Sequence, residues 1–259
     1  MSLSTDSLEF REHFIAGDGL GTGIPGAPFA NAGVNGWSWE VGDPFDSEQR
    51  INPGELNHPG IVRLRVRGQG TAMPCYARLS AGGENAFPLH PSNVLRFRSV
   101  LRVVEPDGDG DFTDEGVFTG LGARPNFFFG NSDLGNDGIY FSFRPSVSPK
   151  WQAVCKRGLD PINDPFGTES TTVTSTGPDI ALDTWYVLEA VQATPGEWEF
   201  FVDGSSIGTI NTTVPTVALT PMYRIVTQMQ HETGYMVQVD CDEFAYRLAM
   251  SGIPGISGW

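Results

Sequence analysis

Lysine is nearly missing from this chain. Of sixteen basic residues only Lys150 and Lys156 are lysines, and the rest are arginines. Arginine suits planar, two-pronged contacts with carboxylates and packed interfaces, so the composition leans toward an assembly component. Positive charge is also short overall. A net charge of −15 argues against free binding to nucleic acid or to an anionic membrane surface. Cysteine is scarce, and Cys75, Cys155 and Cys241 show no metal-ligand spacing. Their odd count argues against a disulfide framework. No run of about 18 apolar residues is present, so nothing reads as a membrane-spanning helix. The start MSLSTDSLEFREHF has neither a basic beginning nor an apolar run, unlike a secretory leader. These gaps predict a chain made and folded in a reducing cytosol.

Catalytic signatures are lacking as well. There is no G-x-S-x-G elbow, and His13, His58, His90 and His231 form no H-x-H or H-x-x-E-H pattern. The glycine-rich stretch 19–26 has no following Lys-Ser/Thr and precedes no helical pattern, so it does not read as a phosphate cradle.

Glycine and proline, by contrast, are abundant at 32 and 19, as many short strands joined by turns require. The last third is the clearest segment. Trp198, Phe200 and Val202 alternate with Glu197 and Glu199, the period of a half-buried strand. Asp203-Gly204 follows as a tight hairpin turn, and Thr194-Pro195-Gly196 punctuates the link from a strand over 185–193. Further strands are expected over 8–15, 61–67, 94–104, 117–121, 126–129, 139–144, 151–156, 170–175, 222–230 and 235–248. Two carry arginine rows: Arg63, Arg65 and Arg67 oppose Val62, Leu64 and Val66, and Arg96, Arg98 and Arg102 oppose Leu95, Phe97, Leu101 and Val103. The rows would seat an acidic glycan or a neighbouring subunit, or pair with the chain's own carboxylates across strands. In the last strand Val237, Val239 and Cys241 hold one parity and Phe244, Tyr246 and Leu248 the other. A β-bulge near Asp242-Glu243 reconciles them. The expectation is an all-β, two-sheet antiparallel sandwich forming a single domain over residues 1–248. Long irregular loops are inserted at 17–36 and 42–60, and 249–259 forms an extended arm.

Three groups carry candidate chemistry. Asp107, Asp109, Asp111, Asp114 and Glu115 place carboxylates at the spacing of a calcium loop, which needs about six to eight oxygens. Phe112 stands where such a loop has glycine, and the alternative is a solvated hairpin tip. The tryptophans Trp37, Trp39, Trp151, Trp185 and Trp198 either stack on sugar rings or fill the core. Phe29, Phe45, Ile253, Ile256 and Trp259, with the run Phe127-Phe128-Phe129, are candidate interface residues because apolar side chains in irregular segments gain from burial against a neighbour.

The segments TWYVLEAVQ, FFVDG, TPMYRIV and VDCDEF resemble the C-terminal strands of concanavalin A-like lectin/glucanase domains, a jelly-roll fold. The resemblance covers residues 180–248 and implies fold rather than function. The glucanase motif E-x-D-x-x-E is met only by Glu105-Pro106-Asp107, with Gly110 at the second Glu. The alginate-lyase motifs find only RFRSVLR, QMQH and YFSFRP. Both branches look empty, so no enzyme is expected. The stretch HPGIVRLRVRGQG, after GWSWE, resembles virion-associated proteins of tailed bacteriophages. That implies a structural virion component, capsid-decorating or tail-associated. Such a component is made in the bacterial cytoplasm and forms a homo-oligomer or docks on other virion proteins. The alternative is a carbohydrate-binding, lectin-like module, and a glycan-cleaving enzyme stands third.

Overall fold

The computed structural model describes residues 7–13, 30–31, 37–42, 47–55, 57–67, 76–81, 89–104, 115–122, 137–145, 147–157, 170–174, 176–227 and 236–249. In chain order the strands are β1 (Ser7–His13), β2 (Ala30–Asn31), β3 (Trp37–Gly42), β4 (Ser47–Glu55), β5 (His58–Arg67), β6 (Tyr76–Ala81), β7 (Val94–Val104) and β8 (Glu115–Gly122). They continue as β9 (Gly138–Arg144), β10 (Ser148–Arg157), β11 (Ser170–Thr174), β12 (Trp185–Thr194), β13 (Glu197–Val202), β14 (Ser205–Ile210), β15 (Thr220–Thr227) and β16 (Met236–Ala249). A single 3-10 turn at Pro91–Asn93 is the sole helical element among the described residues.

All pairings are antiparallel, in two sheets of eight strands. The first runs β14-β13-β12-β7-β16-β5-β4, with β1 also on β16; the second runs β11-β10-β9-β8-β15-β6-β3-β2. The expected sandwich is therefore present. Alternation along β13 buries Trp198, Phe200 and Val202, and the turn after it has Asp203 at φ 49° and Gly204 at φ 77°. Positive φ at both positions gives the twist that antiparallel neighbours need. Asp203 also ties the turn to β12, its carboxylate accepting from Val187 N at 2.8 Å.

The core lies between the sheets, with Phe97 at its centre. Its ring meets Phe141 of the second sheet edge-on at 6.2 Å and stacks on Phe244 at 6.1 Å. Trp198 packs against it at 6.1 Å. Trp151 and Trp198 are buried, so these two tryptophans are core residues.

Three expectations need correction. Leu95 is half-buried and Val94 takes its place in the core. The pairing with β16 skips from Arg96 to Val94, and this irregularity turns Leu95 off the inner face. Residues 42–60 are not one irregular loop, because β4 and the start of β5 occupy most of them. Pro53 and Gly54 read as breakers, yet β4 is an edge strand, where one side of the backbone has no ladder to lose. β6, unexpected from its sequence, inserts between β3 and β15. Only Leu79 among its side chains is known to be buried, and pairing on both sides holds it. The expected bulge in β16 is found: the register with β7 jumps between Cys241 and Glu243. Phe127, Phe128 and Phe129, and with them the strand expected over 126–129, lie outside the described residues.

Candidate functional site

The outer faces of the two sheets differ. On the second sheet Phe118, Tyr140, Val154 and Met222 form a separate buried cluster. On the first sheet the outward positions are mostly charged, and they line up in rows across the strands. Trp185, Arg102, Asp240 and Arg63 are consecutive partners on β12, β7, β16 and β5. Glu189, Arg98, Ala245 and Arg11 make a second such row on β12, β7, β16 and β1. Val191, Arg96, Arg247 and Glu9 make a third.

The two arginine strands are thus not neighbours. β16 runs between β5 and β7 and brings the carboxylates. Asp240, with no solvent exposure, accepts from Arg63 Nε at 2.6 Å and Nη2 at 2.8 Å, and from Arg102 Nε at 2.8 Å. Of the two readings of the arginine rows, pairing with the chain's own acids describes this end of the face. Arg102 then reaches Glu55 with Nη2 at 2.7 Å and Nη1 at 3.1 Å. These bonds, Arg102's first, hold the Glu55 carboxyl below the usual range. They likewise raise both guanidiniums above theirs: for Arg63 the Asp240 bond is the main cause, and for Arg102 burial opposes charge but the carboxylate bonds outweigh it.

A hairpin completes this end. β4 and β5 pair to the last residues, Glu55 opposite His58, around a turn with Asn57 at φ 73°. His58 therefore stands beside Glu55 over the sheet. Its ring stacks on Trp185 with centroids 3.9 Å apart, and Nδ1 lies 2.9 Å from Asp242 Oδ2. Arg102 also contacts the Trp185 ring, its Cζ 4.9 Å from the centroid. The indole N–H donates to Glu55 at 3.4 Å. Asp242, the bulged residue, is buried and its Oδ1 has no hydrogen-bond partner. Such a group carries a desolvation cost of about 1–3 kcal/mol.

At the other end the ion pairs are loose. Arg98 lies 3.4 Å from Glu243, and Arg96 lies 3.8 Å from both Glu9 and Glu189. Arg11 donates to Glu9 at 3.0 Å, and Arg247 Nε to Ser7 Oγ at 2.7 Å. Val100, Ala245 and Ile61 are also buried, and long arginine stems suit the covering of such apolar floor.

The residues singled out from sequence are not the ones assembled here. Asp107, Asp109, Asp111 and Asp114 lie outside the described residues; Glu115 opens β8, its side chain outside them. Phe29, Phe45, Ile253, Ile256 and Trp259 also lie outside, as do the side chains of Trp37 and Trp39. Among the described residues no group of three His, Cys, Asp or Glu could hold a metal. What sequence reading missed was the acidic run Asp240, Asp242, Glu243 inside a strand of buried apolar residues. Carboxylates at core positions demand partners, and the nearby arginine rows were the signal.

No protein-family model and no curated protein matches the chain. Solved structures do. An endo-β-1,4-glucuronan lyase from the fungus Trichoderma reesei superposes with a TM-score of 0.58 at 12% identity, covering 85% of this chain and 94% of that one. The carbohydrate recognition domain of Emp47p gives 0.50 at 8% identity, covering 92% and 94%. A Bacillus licheniformis β-glucanase gives 0.49 at 13% identity, covering 92% and 97%. At these identities the likeness is one of fold: the chain is a concanavalin A-like β-sandwich.

Proposed function

We propose that this domain binds a glycan along the outer face of the first sheet, without cleaving it. The observation that carries the reading is the contrast between the two outer faces. One holds a buried apolar cluster; the other is a rigid, half-exposed field of planar donors and acceptors around Trp185. A sugar hydroxyl both donates and accepts, so alternating guanidinium and carboxylate groups suit it. An indole edge adds apolar contact for the ring carbons. The similarity of fold to a carbohydrate recognition domain and to a glucuronan lyase supports the same reading.

Asp240, Asp242 and Glu243 are shut from solvent, which favours a binding role for this face over the paired-carboxylate chemistry of a glycosidase at these three acids. The virion role rests on a sequence resemblance of which residues 58–70 are the distinctive part, and none of the structures named above is described as a virion component. The glycan-binding alternative is the better supported of the two.

The test is a glycan array followed by titration calorimetry on the best ligand. Trp185→Ala should weaken binding roughly tenfold while the β-sheet circular dichroism stays unchanged. Absence of binding to any glycan at millimolar concentration defeats the proposal.

A further inference from the structure

The two ends of the charged face are built differently. Around Asp240 the guanidinium donors are spent on short hydrogen bonds. Around Ala245 they are not. Arg96 and Arg98 point from the same face of β7, and among the described residues neither makes a side-chain hydrogen bond. Their carboxylate neighbours stop at 3.4–3.8 Å, and Arg98 Nε is shielded from solvent with no partner. Arg96 also sits directly opposite Arg247 in the β7–β16 register. Like charges facing each other across a strand pair are unfavourable, so this arrangement needs a compensating anion. The described carboxylates beside the four cations Arg11, Arg96, Arg98 and Arg247 are Glu9, Glu189 and Glu243, with Glu199 two strands from Arg96 in the same row, and they leave Arg96 and Arg98 without a hydrogen-bonded counter-ion among the described residues. Between Arg98 and Arg11 the row is occupied by Ala245, the smallest side chain in it and itself buried.

We infer that Arg96 and Arg98, flanked by Arg11 and Arg247 over Ala245, form an oxyanion subsite that takes the carboxylate of an acidic glycan. The inference rests on the glycan-binding reading and narrows it to polymers bearing uronic acids. Carboxylate is favoured over sulfate because a planar carboxylate matches the guanidinium fork with two parallel bonds. Glu9 and Glu189 act as internal competitors that a bound carboxylate displaces from Arg96.

The experiment uses the full chain and three probes: polyglucuronate, the same polymer with its carboxyls reduced to alcohols, and a sulfated glucan. Polyglucuronate should bind most tightly, and its affinity should fall as salt rises because exposed charges are screened. The double variant Arg96→Gln/Arg98→Gln should weaken polyglucuronate by at least roughly tenfold, the worth of one charge-assisted hydrogen bond or more. It should weaken the reduced polymer far less than polyglucuronate. Glu189→Gln, which removes a competitor, should tighten polyglucuronate, a gain that a merely structural role would not produce. The gain also keeps the test alive if the double variant folds poorly. Binding of the reduced polymer but not polyglucuronate overturns the subsite and leaves the glycan-binding reading standing. Preference for the sulfated glucan overturns the carboxylate assignment. Binding of none of the three, with no other glycan bound, removes both readings.

Discussion

The hydroxyl of Tyr223 donates to the backbone carbonyl of Glu243 at 2.5 Å, reaching from one sheet to the other through the core. Glu243 follows the bulge in β16, where the register with β7 jumps, and the phenol supplies a donor to its carbonyl. Ser99 of β7 donates to the Tyr223 hydroxyl oxygen at 3.0 Å, and Thr119 of β8 donates to Ser99 at 2.8 Å. This buried chain spans both sheets, and burial raises the Tyr223 phenol well above its ordinary value. Tyr223→Phe should therefore cost about 1–3 kcal/mol, the penalty for leaving a buried acceptor unsatisfied. Urea unfolding measures it; a loss within error of zero would mean that water reaches the bulge.

The two described cysteines should be chemically silent in the native state. Cys155 and Cys241 are buried, and burial pushes the Cys155 thiol up to about 12 and Cys241 well above its ordinary value. The thiolate is the reactive form. Alkylation at pH 8 followed by peptide mass spectrometry should find both unmodified in folded protein and both modified in guanidinium. Rapid native labelling at either site would contradict the packing of β10 or β16.

Much of the fold was legible because it depends on local alternation. β13 and its Asp203-Gly204 turn, the arginine rows, and the phase change in β16 all appear where residue parity puts them. β4 and β6 were not legible: Pro53 and Gly54 imitate a loop within a hairpin to the adjacent β5, and the parity of Leu79 in β6 otherwise carries only the small Ala77 and Ala81. β6 is held in part by β15, a partner distant in sequence. The candidate site was hidden for the same reason. Each arginine row and each acid could be read, but not that β16 runs between β5 and β7. Which charges meet is decided by strand order, and no short-range pattern encodes it.

Acid should loosen the hairpin that carries His58. The Glu55 carboxyl is held below its usual range, chiefly by its Arg102 hydrogen bond. A lowered carboxylate contributes stability above the unfolded-state value, and that contribution is lost as pH falls through the folded-state value. Glu55 is exposed, so its share is no more than about 1 kcal/mol. Glu55→Gln should be slightly less stable than the parent at pH 7 and equal to it well below pH 4. A gap that persists in acid would assign the effect to packing on Trp185.

Asp240 separates the structural from the functional use of this face. It is fully buried between Arg63 and Arg102, and breaking a buried pair by removing one partner costs about 3–5 kcal/mol. Asp240→Asn should lose stability toward the lower end of that range, since Arg63 keeps its charge and loses its hydrogen-bonded carboxylate while Arg102 retains Glu55. The triple replacement Arg63→Met, Asp240→Leu and Arg102→Met removes both sides of the pairing. Such exchanges are often neutral or stabilising, so the triple variant should unfold at a denaturant concentration at least equal to the parent's. If it does, and it also loses glycan affinity, the charges around Asp240 serve recognition and are not needed to hold the sheet together. A triple variant as unstable as Asp240→Asn would instead make the charged row a structural element. Glycan recognition would then have to rest on Trp185 and the arginines around Ala245.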